Sequence, residues 1–145
     1  MNVSQMLQAK PVNNILTIKP GDTIEKAAEM LSEHRIGALI VSEDGERVDG
    51  ILSERDIVRE IGKNGVGCMS NCTRDLMTKT VVAAQLSDSV ISLMAKMSKG
   101  RFRHMPVVND GKLVGVVSIG DVVKARIELI EQENSALTDM LHGKV

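Results

Sequence analysis

The amino-acid sequence predicts an α/β fold in which one βαββα unit occurs twice. Three observations support this: an internal repeat, an apolar helical stripe in each half, and an Asp-Gly turn between two apolar runs in each half. Asp22 aligns with Asp88 at a spacing of 66 residues. After one extra residue in the first half, Ser53 aligns with Ser118 at a spacing of 65 residues.

Each half begins with a short strand and an amphipathic helix. Residues 15–18 and 81–84 are the predicted strands. The apolar residues of the helices recur at i, i+3, i+4 and i+7, namely Ile24, Ala27, Ala28 and Leu31 in the first half and Val90, Leu93, Met94 and Met97 in the second. This period places each set on one helix face. We predict that Asp22 and Asp88 are the N-caps of these helices.

A β-hairpin is predicted after each helix. Residues 38–42 and 48–52 flank Asp44-Gly45 in the first half, and residues 105–108 and 113–117 flank Asp110-Gly111 in the second. An Asp-Gly pair between two apolar runs is a strong short-range hairpin signal.

Serine then opens the last helix of each half. Ser53 and Ser118 are followed three residues later by Asp56 and Asp121, which is the spacing of a capping box. A unit of about 50 residues with one small sheet has little core of its own. We therefore expect the two repeats to cover each other in a pseudo-two-fold module.

The chain divides into three predicted segments. They are residues 1–66, the first repeat with a lead-in helix at 3–7; residues 67–127, the second repeat with a lead-in helix at 73–77; and residues 128–145, a C-terminal helical extension. The Gly-containing residues 62–67 are predicted to be a flexible connection.

Composition argues against several classes of protein. Eighteen Lys and Arg residues against 19 Asp and Glu leave a net charge of −1, which does not favour nucleic acid binding. The single aromatic residue, Phe102, cannot form a base-stacking platform. Apolar runs stay far below the roughly 18 residues of a membrane-spanning helix, and residues 1–10 lack a secretory signal. We expect a cytoplasmic protein without membrane contact.

The two cysteines, Cys68 and Cys72, are spaced unlike a redox pair or a zinc half-site. We expect free structural thiols, with metal or redox work as the alternative.

Residues 50–56 and 115–121 resemble the signature of CBS (cystathionine β-synthase type) domains. Both have the pattern Gly-apolar-apolar-Ser-x-x-Asp, and residues 101–107 are similar to the strand entry of the family's second repeat. The resemblance covers about residues 12 to 127. It implies a free-standing tandem CBS module that senses AMP, ADP, ATP or an adenine dinucleotide such as NAD(H) and acts on an unidentified partner protein.

The resemblance also implies that Asp56 and Asp121 each bind a ribose. A carboxylate in a first helical turn can accept both ribose hydroxyls, and the helix N-terminus beside Ser53 or Ser118 favours phosphate. The alternative interpretation is that these four residues only cap helices.

Further ligand contacts are implied on both sides of the module. The adenine would lie against Thr17, Gly37 and Ala38 in one cleft and against Ala83 and Met105 in the other. The phosphates would meet Arg35, Arg101, Arg103 and His104, whose N–H groups suit phosphate oxygens. The alternative for Arg35 and Arg101 is a solvated helix end.

The two signature turns also differ. Arg55 would hold an additional phosphate in the first, whereas Gly120 would let the backbone approach a ligand in the second. We therefore expect unequal clefts.

An enzyme is the competing class, and the sequence does not favour it. It has no Walker lysine motif, no cluster with metal-ligand spacing, and no nucleophile with an assigned base. We predict a protein without catalytic activity, catalytic cofactor or metal.

A third class is a dimerisation or partner-binding module without ligand. Residues 121–142 are predicted to continue as one helix, with a heptad stripe at Val123, Ile127, Ile130, Asn134, Leu137 and Leu141. The stripe either packs on its own module or pairs with a second copy in a homodimer, in which Asn134 would fix the register.

Overall fold

The computed structural model describes residues 1–10 and 15–143. Its elements are α1 Val3–Ala9, β1 Thr17–Ile18, α2 Ile24–His34, β2 Ala38–Val41, β3 Gly50–Ser53, α3 Glu54–Asn64, a 3-10 turn at Val66–Ser70, α4 Thr73–Leu76, α5 Val90–Gly100, β4 His104–Asn109, β5 Lys112–Ser118 and α6 Ile119–Leu141. The predicted α/β class, with two βαββα repeats and a long C-terminal helix, is confirmed.

The two repeats differ in how much of the first strand forms. In the first repeat, β1 runs parallel to β2, and β2 pairs antiparallel with β3. In the second repeat, β4 and β5 form the hairpin, and the strand predicted at 81–84 contributes a single parallel bridge from Ala84 to Val107. The next N–H, that of Gln85, donates to the Asp88 carboxylate at 2.9 Å, which turns the chain away from β4.

The N-caps of α2 and α5 lie one residue later than predicted. The hydroxyl oxygens of Thr23 and Ser89 accept the N–H three residues along the chain, at 3.1 Å in both helices. Asp22 and Asp88 instead accept N–H groups three residues upstream, at 3.1 and 2.9 Å. Asp-Thr and Asp-Ser each offer two good capping residues in succession, so residue type alone does not decide between them.

The predicted flexible connection at residues 62–67 is wrong. Helix α3 continues to Asn64, and the 3-10 turn begins at Val66. Gly65, with φ 79°, ends α3 through an N–H bond to the Ile61 carbonyl at 2.8 Å. Cys68, which is 4% exposed, anchors the turn, and both cysteines are free thiols as predicted.

Each repeat's core is completed by the lead-in helix of the other repeat. Val3, Met6 and Leu7 of α1 join the core of the second repeat. Leu76 and Met77, at the end of α4, pack on the core of the first. The predicted boundary between the repeats at residue 66 therefore stays a prediction. It divides the chain in sequence, whereas in space each core includes the lead-in helix of the other repeat.

The signature glycines allow this exchange. A Cβ at Gly115 would lie 2.8 Å from the Leu7 side chain, and one at Gly50 would lie 2.6 Å from the Met77 sulfur. Leu7 and Met77 are thus equivalent under the pseudo-two-fold relation, at a spacing of 70 residues.

Helix α6 is continuous over 23 residues, as predicted for this part of the chain. Val122 and Ala125 face the core at 1% and 5% exposure. The heptad stripe faces outward and is exposed, including Ile127 at 51% and Leu141 at 78%. The interpretation that this stripe packs on its own module is therefore wrong. None of the helices in residues 1–10 and 15–143 combines the length of a membrane span with its apolar character.

Candidate functional site

Two clefts lie where the repeats meet, one beside each signature carboxylate. The larger, which we call the Asp56 cleft, encloses about 490 Å³. The smaller, the Asp121 cleft, encloses about 330 Å³. Both volumes fall within the range of small-molecule sites, about 300–1,000 Å³.

Each carboxylate is held by a capping box at the start of a helix. The N–H of Ser53 donates to Oδ2 of Asp56 at 2.9 Å, and the N–H of Asp56 donates to the Ser53 hydroxyl at 3.3 Å. The same two bonds join Ser118 and Asp121, at 2.9 and 3.1 Å. The predicted boxes are confirmed, and they fix both side chains at the mouth of a helix N-terminus, where anions are favoured.

The clefts are built across the pseudo-two-fold axis. Beside Asp56, the wall consists of residues 78, 80, 81 and 82, which follow α4 of the other repeat. Beside Asp121, the wall includes Lys10, Ile15 and Leu16, which follow α1. The exchange of lead-in helices therefore supplies one wall of each cleft.

Each cleft also contains an arginine from the opposite repeat. Arg35 and Arg101 end α2 and α5 in the left-handed region, with φ 52° and 55°. Arg35 reaches the Asp121 cleft and Arg101 reaches the Asp56 cleft. A non-glycine residue in this conformation costs free energy, and such residues concentrate at functional sites.

The Asp56 cleft carries more positive charge than the Asp121 cleft. Its lining includes the four arginines Arg55, Arg59, Arg101 and Arg103 against Glu54 and Asp56. The ion pair between Arg59 and Asp56 is long, at 4.0 Å, and the Arg59 side chain is 67% exposed. Among the residues described, it is the one ion pair that these four guanidinium groups make.

In the Asp121 cleft a lysine already contacts the carboxylate. The Lys10 ammonium lies 3.0 Å from Asp121 Oδ2 and donates to the Val116 carbonyl at 2.8 Å. Burial alone would raise the pKa of Asp121, but the Ser118 N–H and Lys10 outweigh it and hold the pKa below its ordinary value.

His104 lines both clefts. Burial lowers the pKa of its imidazole below the ordinary value, although Glu54 and Asp121 oppose the shift. The imidazole therefore forms a wall shared by two sites, and its burial favours the neutral form.

A family model for the CBS domain matches residues 3–63 and 74–128. The chain belongs to the CBS domain family. A mitochondrial CBS domain-containing protein of Arabidopsis thaliana is 34% identical over 126 residues, which are 84% of this chain and 61% of that protein. A CBS domain-containing protein of Bacillus subtilis is 29% identical over 134 residues, or 90% of this chain and 91% of that one.

Solved CBS structures share the fold. A CBS-domain containing protein from Agrobacterium tumefaciens is 41% identical, with a TM-score of 0.82 over 87% of this chain and 99% of that chain. The CBS domain pair of protein MJ0100, crystallised in complex with 5′-methylthioadenosine and S-adenosyl-L-methionine, is 28% identical, with a TM-score of 0.74 over 86% of this chain and 94% of that chain.

Most of the predicted site residues lie in the two CBS clefts. The Asp56 cleft contains Gly37, Ala38, Ser53, Arg55, Asp56, Arg101, Arg103 and His104. The Asp121 cleft contains Arg35, Gly37, Ala38, His104, Ser118 and Asp121. Gly37, Ala38 and His104 thus stand between the sites.

Four predicted residues lie elsewhere among the residues described. Met105 is buried in the core at 0% exposure, because successive strand side chains alternate and its neighbour His104 takes the cleft side. Thr17 pairs with Ile40 in the sheet, and Ala83 precedes the single bridge at Ala84. Gly120 lies on the outer face of α6, beside the exposed stripe.

Lys10, Arg59 and Thr80 also line the clefts, although they were not predicted. For Lys10 and Thr80 a signal was present in the repeat, because the lead-in segments are equivalent at a spacing of 70. The aligned spacing of 66 pairs Lys10 with Leu76 instead, because the segment after each lead-in helix differs in length.

Proposed function

We propose that this chain is a non-catalytic regulatory module that binds an adenine nucleotide, namely AMP, ADP, ATP or NAD(H), in its CBS clefts. The observation that carries the proposal is the repeated pairing of a helix-start carboxylate with an arginine from the opposite repeat. Asp56 and Arg101 line one cleft, and Asp121 and Arg35 line the other.

These groups match the parts of a nucleotide. A ribose presents two neighbouring hydroxyls, which a carboxylate can accept together. Guanidinium groups and a helix N-terminus favour phosphate. The flat base has apolar walls available, formed by Ile51, Val81 and Val82 in the Asp56 cleft and by Ile40 and Val116 in the Asp121 cleft.

The relatives support an adenosyl ligand. Both molecules bound to the CBS pair of MJ0100 contain adenosine. Adenosine supplies the ribose diol and the base, which all adenine nucleotides share. The cationic groups of the clefts would therefore determine which adenine nucleotide binds.

Binding would regulate by changing how the repeats pack. A ligand that touches both repeats favours the packing in which both walls approach it, and so shifts a population of conformations. We propose that the module forms a homodimer and passes this shift to a regulated partner protein. A cytoplasmic location stays a prediction, because one relative is mitochondrial.

A module that only dimerises is the second candidate function, and the exposed apolar stripe of α6 favours it. Mass spectrometry of the small molecules released from purified protein separates the two. The sensor proposal expects an adenine nucleotide at up to two per chain. The chain has no Trp or Tyr, so a bound nucleotide dominates its near-ultraviolet absorbance. Protein that is free of nucleotide and shows no thermal shift with AMP, ADP, ATP or NAD favours the dimerisation module.

A further inference from the structure

The ion pair between Lys10 and Asp121 is short, at 3.0 Å, whereas the ion pair in the other cleft, between Arg59 and Asp56, is long, at 4.0 Å. The two lead-in segments are equivalent at a spacing of 70, which places Thr80 where Lys10 stands. Thr80 lines the Asp56 cleft as Lys10 lines the Asp121 cleft. The lead-in segment therefore supplies an ammonium to the Asp121 cleft and an uncharged hydroxyl to the Asp56 cleft.

The lysine contact uses the same oxygen that the capping box uses. Oδ2 of Asp121 accepts the Ser118 N–H at 2.9 Å and lies 3.0 Å from the Lys10 ammonium. A ribose that donates one hydroxyl to each carboxylate oxygen needs a lone pair on Oδ2, and these two groups already occupy that oxygen. Lys10 and one of the two hydroxyls thus compete for Oδ2.

The pair is sheltered enough to matter. Both side chains are 28% exposed, and the ammonium has a second partner in the Val116 carbonyl at 2.8 Å. Salt screens a partly buried pair less than a surface pair. Lys10 is also the C-cap residue of α1, with extended backbone, so its side chain can move without unwinding the helix.

From these contacts we infer that Lys10 is a selectivity residue that opposes ribose binding at Asp121. This inference rests on the proposed nucleotide function. It makes the Asp121 cleft the weaker site for an uncharged ribosyl ligand. At the Asp56 cleft the competing cation, Arg59, lies farther from the carboxylate and is 67% exposed.

Calorimetric titration with adenosine tests the inference, because adenosine has the diol and no phosphate for Lys10 to attract. An Asp56→Asn background confines binding to the Asp121 cleft. Adding Lys10→Met, which keeps the length and apolar stem of the side chain, should tighten adenosine binding about three- to tenfold. Lys10→Gln is the second variant if the first does not fold.

Lys96→Met in the same background is the matched control. Lys96 pairs with Asp88 at 3.3 Å, with 39% of its side chain exposed, and neither residue lines a cleft within the described part of the chain. This variant removes the same charge and should leave adenosine affinity unchanged. An equal gain in both variants would reveal an effect of net charge and overturn the inference.

The remaining outcomes separate the two proposals. In one outcome, adenosine affinity is unchanged, weaker or unmeasurable after Lys10→Met, while AMP binding is lost in Asp56→Asn/Asp121→Asn. This outcome overturns the role of Lys10 and leaves the nucleotide function standing. Absence of AMP and adenosine binding in the wild-type chain and in every variant overturns the nucleotide function, and the inference with it.

Discussion

Gly37 and His104 lie against each other at the boundary between the two clefts. A Cβ at Gly37 would stand 3.2 Å from Cε1 of the His104 imidazole, which is tighter than an ordinary contact. Both residues line both clefts. A side chain at position 37 would therefore disturb two sites at once.

Gly37→Val should weaken AMP binding in both clefts by about tenfold, because overpacking of this kind costs about 1–3 kcal/mol. The measurement is calorimetry in Asp56→Asn and Asp121→Asn backgrounds. Gly62→Val is the control, since a Cβ there would meet nothing within 4 Å. Loss of affinity in one cleft only would contradict the shared boundary.

His104 should make the fold less stable as the pH drops below neutrality. Burial lowers its pKa, Glu54 and Asp121 raise it, and Arg103 and Lys10 add to the lowering; the net shift is downward. The unfolded chain therefore takes up the proton first, and stability falls as the pH drops through about 6.5 towards the folded pKa.

Thermal unfolding between pH 7.5 and about 5.5 checks this. His104→Gln should flatten the decrease in Tm, whereas His34→Gln, which changes an exposed histidine, should keep it. A slope that survives in His104→Gln would assign the effect to other groups.

The two clefts should prefer different ligands. Arg55 and Arg59 add two cations to the Asp56 cleft, which should favour ATP over AMP, and the Asp121 cleft should favour AMP. ATP and AMP titrations of Asp121→Asn and Asp56→Asn give the two preferences. Arg55→Ala should reduce ATP affinity about fivefold at the Asp56 cleft and AMP affinity less; exposed Arg47→Ala is the control. Equal ATP-to-AMP ratios in the two clefts would refute the prediction.

The exposed stripe of α6 should join two copies of the chain. Burial of the apolar residues of this stripe stabilises a dimer by roughly 25 cal/mol per Å². Asn134, the polar residue of the stripe, would fix the register of the two helices at a cost in stability. Asn134→Leu should therefore tighten self-association in analytical ultracentrifugation, while Ser135→Leu, one position off the stripe, should not.

A truncation after Glu131 removes the C-terminal part of the same stripe and keeps Leu129, which packs on the core. A full-length monomer, or a truncated chain that associates as tightly as the parent, would show that the stripe does not join two copies.

Local signals explain what was predictable here. The hairpins, the boxes at Ser53 and Ser118, and the length of α6 follow from turn chemistry and periodicity within a few residues of each other. The N-cap of α2 is Thr23 and not Asp22. Residue type could not predict this, because both residues can cap a helix. The burial of Met105 was also predictable from strand alternation once His104 was assigned to the cleft.

What escaped prediction depends on contacts between repeats. Lys10 reaches Asp121 because α1 packs on the second repeat, 111 positions away along the chain. Arg35 and Arg101 were predicted as cleft residues, but their left-handed backbone was not, because no residue type at these positions required it. These features arise from the way the two repeats exchange elements.

The most direct test of nucleotide binding is a calorimetric titration of nucleotide-free protein with AMP, comparing the wild-type chain with Asp56→Asn, Asp121→Asn and the double variant. We expect micromolar-range binding, on the order of −8 kcal/mol, that falls by one site in each single variant and disappears in the double variant. Binding that is absent from the wild-type chain, or that persists unchanged in the double variant, would show that these carboxylates do not bind a nucleotide.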